Sequence, residues 1–198
     1  TLALAACSSD TTKEEEQSAA SGGESTEEVT SSLTGSLDSG NAVYDEVVNS
    51  APVASDEVIA ASEWATSIKE SGVLRVGGTE TSELFSKLNP VTGVVSGFDA
   101  GLSQMLTQYI TGDSTNTKLT QVSVDTREEL LVNGQVDVVF ATYSITPERL
   151  ERIDFAGPYY SSAAAVLVKT DNTDIKGVED LAGKVVATQA GSTGITTL

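Results

Sequence analysis

Histidine is absent from the sequence, and cysteine, tryptophan and methionine occur once each. Without histidine there is no Ser–His or Cys–His nucleophile pair. A single cysteine, Cys7, cannot form an intrachain disulfide. With no dense cluster of acids in its place, the composition argues against a structural zinc site, and nothing in the chain calls for a cofactor. Bases are scarce as well: 11 Lys and Arg stand against 29 Asp and Glu, a formal net charge of −18. A field of that sign repels polyanions, which argues against nucleic acid and anionic membrane surfaces as partners. Aromatic residues make up only 5%, yet 39% of the 198 residues are hydrophobic, enough for one modest core. No apolar run is long enough to cross a bilayer.

The acids are unevenly spread. Residues 1–60 hold twelve of them against one base, Lys13, a net of −11. Residues 8 to about 40 are mostly Ser, Thr, Glu and Gly, which cannot bury enough apolar area to offset the entropy of ordering. Residues 8–60 are therefore expected to be a disordered acidic tether, with Val43-Tyr44 and Val58-Ile59 hinting at short ordered turns. Ahead of it an apolar run, Leu2 to Ala6, leads into Cys7. Leu4-Ala5-Ala6-Cys7 resembles a bacterial lipobox, so residues 1–7 read as the end of a lipoprotein signal peptide. That resemblance implies cleavage before Cys7 and lipid on its thiol, with several acyl chains anchoring the protein to a membrane. The alternative is a buried lone cysteine after a chance alanine run. The chain opens on Thr1 and stops at Leu198 inside what reads as a young helix, so a fragment cut at both ends is expected.

From about Ser62 the pattern becomes that of a folded domain. Glu63 to Ser71 reads as a helix stopped by Gly72, followed by a strand over Val73–Gly78 and a loop to Ser96. Phe98, Leu102, Met105, Leu106 and Tyr109 fall on one face of a helix ended by Gly112. Lys118–Val124 alternates like a strand. Thr126 and Glu129 make a capping box, and Asn133-Gly134 closes that helix. Val136–Ala141 reads as a buried parallel strand, and Thr146-Pro147 opens another helix. Strands are expected at Ala163–Lys169 and Val185–Thr188, with a helical turn over Ile175–Leu181. The alternation predicts an α/β fold with a mostly parallel sheet.

Three loops run from strand to helix, where such folds place ligands. In Thr142–Arg149, hydroxyls, backbone N–H groups and Arg149 can converge on one anion, since a guanidinium matches a carboxylate in two prongs. A surface pairing of Arg149 with Glu148 or Glu151 is equally open. In Ser123–Arg127, Arg127 sits where a cation opposes the helix dipole, which costs about 0.3–1 kcal/mol and points to an anion. Pairing with Asp125 or Glu128 is the competing reading. Gln189–Gly194 offers small residues and N–H groups at a helix start, but a plain helix cap explains it too. It has no Walker lysine, and Gly77-Gly78-Thr79 is no dinucleotide fingerprint. No catalytic set emerges.

The run Gly134-Gln135-Val136-Asp137, then Ala141-Thr142-Tyr143-Ser144-Ile145-Thr146-Pro147-Glu148-Arg149, then Ile153-Asp154-Phe155-Ala156-Gly157-Pro158-Tyr159-Tyr160, resembles the polar-amino-acid solute-binding proteins of ABC importers. Gly72–Gly77, Gly97-Phe98-Asp99 and Asp180-Leu181-Ala182-Gly183-Lys184 extend the likeness over residues 62–198. It implies two α/β lobes hinged around a cleft, with residues 61–168 as a nearly complete first lobe and 169–198 as the start of a second. By resemblance, Arg149 and Ser144 hold a ligand α-carboxylate, Thr142 the ammonium or carboxylate, and Ser192 and Thr193 donate to the carboxylate. Arg127 stands where the glutamate/aspartate branch binds the side-chain carboxylate, so glutamate is the expected ligand. The likeness implies a monomeric, non-enzymatic receptor, lipid-anchored on the outer face of the cytoplasmic membrane and delivering to an ABC permease.

The sequence departs from that pattern in places. Gly101 replaces an acid after Asp99-Ala100, and Gln189-Ala190 precede Gly191. Thr79-Glu80-Thr81-Ser82 lacks the aromatic that stacks on the ligand and carries Glu80, expected to point outward. The same fold also serves cyclohexadienyl dehydratases, for which Glu80 is the candidate acid or base, and amino-acid sensor modules. A surface antigen with a dead cleft is a further alternative.

Overall fold

The computed structural model describes residues 39–197. The lipobox, Cys7 and the tether up to residue 38 lie outside the described residues, as does Leu198.

Leu74 and Val76 are fully buried, and the strand that carries them, β1 (Leu74–Gly78), forms the middle of a three-stranded sheet. Both its edges are paired in parallel: with β5 (Thr117–Gln121) on one side and β6 (Val138–Val139) on the other. Parallel neighbours need crossovers, and helices supply them. The first contains a small antiparallel sheet of β2 (Thr81–Ser82), β3 (Ser86–Leu88) and β4 (Val95–Ser96), then α4 (Phe98–Thr111). The second is α5 (Arg127–Val132). The stretch expected to be a plain loop up to Ser96 therefore folds into three short strands.

The core gathers Ile68, Leu74, Val76, Val95, Ile110 and Leu119. α3 (Glu63–Ser71) spans the residues expected, with Ser62 capping its start and Gly72 in the left-handed conformation at its end. The expected disordered tether, by contrast, overreaches. α1 (Ala42–Asn49) and α2 (Asp56–Ala60) fold within its last twenty residues, capped by the Asn41 and Ser55 side chains. Val48 and Ile59 are buried, and the Tyr44 hydroxyl donates to Gln104 Oε1 at 2.8 Å. Burial pushes the Tyr44 phenol well above its ordinary pKa.

Covering by α1 changes which face of α4 is inside. The expected apolar face, Phe98 to Tyr109, is only partly buried, whereas Asp99, Ser103, Gln104 and Thr107 are fully buried. Three of the four find partners nearby: Ser103 donates to Ala100 O, Thr107 to Ser103 O and Gln104 Nε2 to Val95 O. Helical periodicity located the helix, but partners distant in the chain decided its buried side: Tyr44 of α1, Thr117 of β5 and the Thr142 N–H.

Four further expectations are corrected. Thr126 caps nothing with its side chain: its hydroxyl accepts from Ser123 N at 2.9 Å, a local turn that competes with the helix. Glu129 instead meets Arg152. The strand expected over Val136–Ala141 narrows to β6, although Asp137 N and Phe140 N still donate to carbonyls of Arg75 and Gly77. Residues 163–169 and 185–188 form no strand, being mostly exposed with no ladder to join among the described residues. The expected helical turn shortens to a 3-10 turn, Val178–Leu181.

The start of α4 depends on Gly97. Its φ is +134°, and a Cβ there would lie 2.5 Å from the Phe85 carbonyl oxygen, which accepts from Asp99 N and Ala100 N. Gly97→Ala is expected to destabilise the domain by about 2 kcal/mol or more, from backbone strain and a clash that cannot be relieved by a side chain. Urea denaturation followed by circular dichroism measures it; an unchanged midpoint would refute the constraint.

Candidate ligand-binding cleft

The carboxyl ends of β1, β5 and β6 lie at one edge of the sheet, so the chain leaves all three in the same direction. Loops 123–127 and 142–149 emerge there. The first is anchored at Val122, whose N–H donates to Gly78 O, and the second at Phe140, bonded to Gly77 O. The third loop, 189–194, arrives from the far end of the chain and packs against the first. Gly191 has φ +70°, and a Cβ on it would lie 2.9 Å from Asp125 Oδ1 and 3.2 Å from Val124 Cγ1. The three loops singled out by sequence thus meet.

Arg149 ties two of them together. Thr146 caps α6 (Pro147–Leu150) as expected, accepting from Arg149 N, and Pro147 occupies the first turn. From there the Arg149 guanidinium donates to Ser144 O at 2.7 Å and to Gly191 O at 3.0 Å. Arg127 comes from the opposite direction, the first turn of α5. It is 5% exposed, donates through Nη1 to Ala141 O at 2.8 Å, and leaves Nε buried without a partner. Burial and the nearby charge of Arg149 lower its pKa.

Both guanidinium groups lie over one ring. The Arg127 Cζ is 3.8 Å from the Tyr143 centroid and the Arg149 Cζ is 4.5 Å from it. Each such contact contributes about 0.5–2 kcal/mol, more where water is excluded. The Tyr143 hydroxyl donates to Glu128 Oε2 at 2.8 Å, and Glu128 is itself paired with Arg152. Of the four arginines, Arg75 pairs with Asp137 and Arg152 with Glu128 and Glu129. Among the described residues, Arg127 and Arg149 form no ion pair. In a chain with 29 acids, that leaves two adjacent cations without carboxylate partners.

Next to them opens a cleft of about 920 Å³. Thr142, Ser144 and Thr193 line it, while Ser192 turns its hydroxyl to Gln189 O at 2.7 Å. The aromatic missing from residues 79–82 is supplied by Phe85, which lines the cleft, with its ring edge-on to Tyr160 at 5.1 Å. Asp99 lies on the cleft wall, 1% exposed; its Oδ2 accepts from Thr142 N at 2.9 Å, and its Oδ1 is buried without a hydrogen-bond partner. Thr142 takes a left-handed conformation, φ +46°, which is costly for a β-branched residue and which the Asp99 contact holds in place. Burial raises the Asp99 pKa, against the opposing effects of the Thr142 N–H and the Tyr159 hydroxyl.

Asp99, Phe85 and Tyr143 line the cleft as well, and none of them was among the candidates expected from the sequence. Asp99 and Tyr143 did stand inside the runs that carried the family resemblance. The candidates Thr142, Ser144 and Thr193 line one cleft; Arg127 and Arg149 lie against the ring of Tyr143, which lines it too, and Ser192 faces its own turn. No group of acids able to hold a metal occurs among the described residues, nor is any helix there long and apolar enough to cross a membrane.

The chain is similar to known proteins in sequence and in fold. The family model of bacterial extracellular solute-binding proteins, family 3, matches residues 74–194. The glutamine-binding protein of Geobacillus stearothermophilus is 38% identical over 140 residues, which is 70% of this chain and 53% of that protein. The glutamate-binding protein GluB of Corynebacterium efficiens is 33% identical over 129 residues, 63% of this chain and 44% of that one. The chain spans about half the length of the relatives it matches. Among solved structures, an ancestral arginine-binding protein bound to arginine shares 34% identity with a TM-score of 0.56, covering 64% of this chain and 54% of that one. A glycine-to-alanine mutant of arginine-bound ArgBP from T. maritima shares 28% with a TM-score of 0.60, covering 67% and 61%.

The Asp99 carboxylate has a pH signature. Its folded pKa is raised, so the native state binds a proton more tightly than the unfolded chain, and stability falls as pH rises from about 4, the unfolded value, through the folded one. Asp99→Asn is expected to lose that dependence. Unfolding free energies of both forms between acid and neutral pH check it, and parallel curves would exclude the assignment.

Proposed function

The chain belongs to the bacterial extracellular solute-binding proteins of family 3, and we propose that it is the lipid-anchored receptor of an ABC amino-acid importer with glutamate as its ligand. The observation that carries the choice of ligand is the pair of guanidinium groups, without ion-pair partners among the described residues, that lie against the ring of Tyr143, a residue of the cleft wall. Glutamate has two carboxylates, and each needs a cation or several N–H donors when it leaves water. Arg149 and Ser144 take the α-carboxylate, with Thr142, Ser192 and Thr193 adding hydroxyl and backbone groups. Arg127 takes the side-chain carboxylate, and its partnerless Nε gives that role a free donor.

The magnitudes allow it. A micromolar ligand needs about −8 kcal/mol. Hydrogen bonds to charged groups contribute roughly 1.5–3 kcal/mol each, so four or five suffice after the cost of association. Residues 61–168 act as the first lobe, with α1 and α2 added to it, and residues from 169 onward begin a second lobe that closes over the ligand by a hinge motion. Cys7 carries the lipid and the acidic segment after it holds the monomeric receptor off the outer membrane face, where a permease accepts the amino acid.

Ligand bound only by the folded state raises the melting temperature, by about 2.7 kcal/mol of stabilisation at a hundred times Kd. Among the twenty amino acids, glutamate is expected to give the largest rise in the full-length protein and glutamine little. Arg149→Ala is expected to abolish calorimetric binding of every amino acid, whereas Arg127→Met turns preference toward uncharged side chains. A larger rise with glutamine would move the ligand and remove the role of Arg127. No rise with any amino acid would sink the receptor reading itself.

A further inference from the structure

We propose that Tyr143 is a specificity-determining residue of the cleft: its ring is the shared platform that fixes the Arg127 and Arg149 guanidinium groups relative to each other, and it thereby selects a ligand bearing two carboxylates over one bearing a carboxylate and an amide. The proposal rests on the glutamate reading above.

The case is geometric. Two cations brought together without a carboxylate between them repel, and each lies against the Tyr143 ring, at 3.8 Å and 4.5 Å from its centroid. A ring face is negative, so it offsets part of that repulsion without neutralising either charge. A carboxylate in the same place would pair with the arginines and close the site to an anion; Glu128, one residue from Arg127, is instead engaged by Arg152 and by the Tyr143 hydroxyl. The ring is held at its polar end by Glu128 and at another edge by Phe155, whose centroid is 5.3 Å away. A platform fixed at two places leaves the two guanidinium groups little freedom to separate. A dicarboxylate then satisfies both at once, while an amide leaves one charge unmet at the cost of a buried unpaired cation.

The test separates the platform from the ligand. In the full-length protein, Tyr143→Leu removes the ring and Tyr143→Phe keeps it while losing the bond to Glu128. Calorimetric titration with glutamate and with glutamine is expected to show the affinity ratio falling about tenfold or more in Tyr143→Leu, as loss of the ring contacts implies, and staying within about threefold of wild type in Tyr143→Phe. If the leucine variant melts early, Tyr143→Met, which fills more of the ring's volume, replaces it. A second readout needs no ligand: ring-current shifts of the Arg127 and Arg149 side-chain protons in NMR spectra are expected in wild type and Tyr143→Phe and absent in Tyr143→Leu. An unchanged glutamate-to-glutamine ratio in a folded ring-less variant overturns the selection role, and absent ring-current shifts in wild type overturn the platform. If the wild-type protein prefers glutamine, the ligand assignment fails together with the selection role, and the NMR shifts report on the platform alone.

Discussion

Parallel pairing of β1 with both β5 and β6 uses the hydrogen-bonding groups on each edge of the central strand. The chain can leave such a strand only at its ends, and parallel neighbours send their carboxyl ends the same way. Loops 123–127 and 142–149 therefore begin two strand spacings apart, about 10 Å, whatever their own sequences prefer. Everything at the cleft follows from that edge: Arg127 starts a helix on one side of it, Arg149 sits in a short helix on the other, and the last loop is drawn in by the Arg149 bond to Gly191 O.

Charge does the opposite of what composition suggests. The chain as a whole carries −18, yet the Tyr143 ring beside its cleft gathers two arginines that form no ion pair among the described residues. A negative chain gains little by attracting an anion from a distance. Its grip is local, in donors held at fixed positions where water is reduced and electrostatic contacts strengthen. Asp99 serves the same end from beneath. Its carboxylate is costly to bury, but it holds Thr142 N–H and so keeps the loop in a conformation that the threonine would not choose by itself.

Much of the fold was legible. α3 and α4 occupy the spans that capping residues and spacing predicted, and β1 and β5 fall within a residue or a few of the runs expected. Local signals sufficed there because capping side chains, glycine stops and buried β-branched runs act over a few residues. Where the outcome depended on a distant partner, local signals failed. The acidic composition of residues 8–60 concealed α1 and α2, because Val48 and Ile59 each bury against helices that composition does not see. The capping box at Thr126 lost to a turn with Ser123 and to the reach of Arg152. Residues 163–169 carry the pattern of a strand and form none, since a strand is completed by a neighbour rather than by its own sequence.

The sequence by itself determined the α/β alternation, the positions of the helix starts and stops, and the residue types able to hold an anion in three separate loops. Those are local properties: periodicity, capping and the chemistry of single side chains. Only the tertiary structure decided that the three loops meet, that Arg127 and Arg149 share the Tyr143 ring, and that Asp99 rather than a nearer residue steadies Thr142. Those contacts join residues far apart in the chain, 43 positions in the case of Asp99 and Thr142, and no pattern within a short window encodes a distance across the fold.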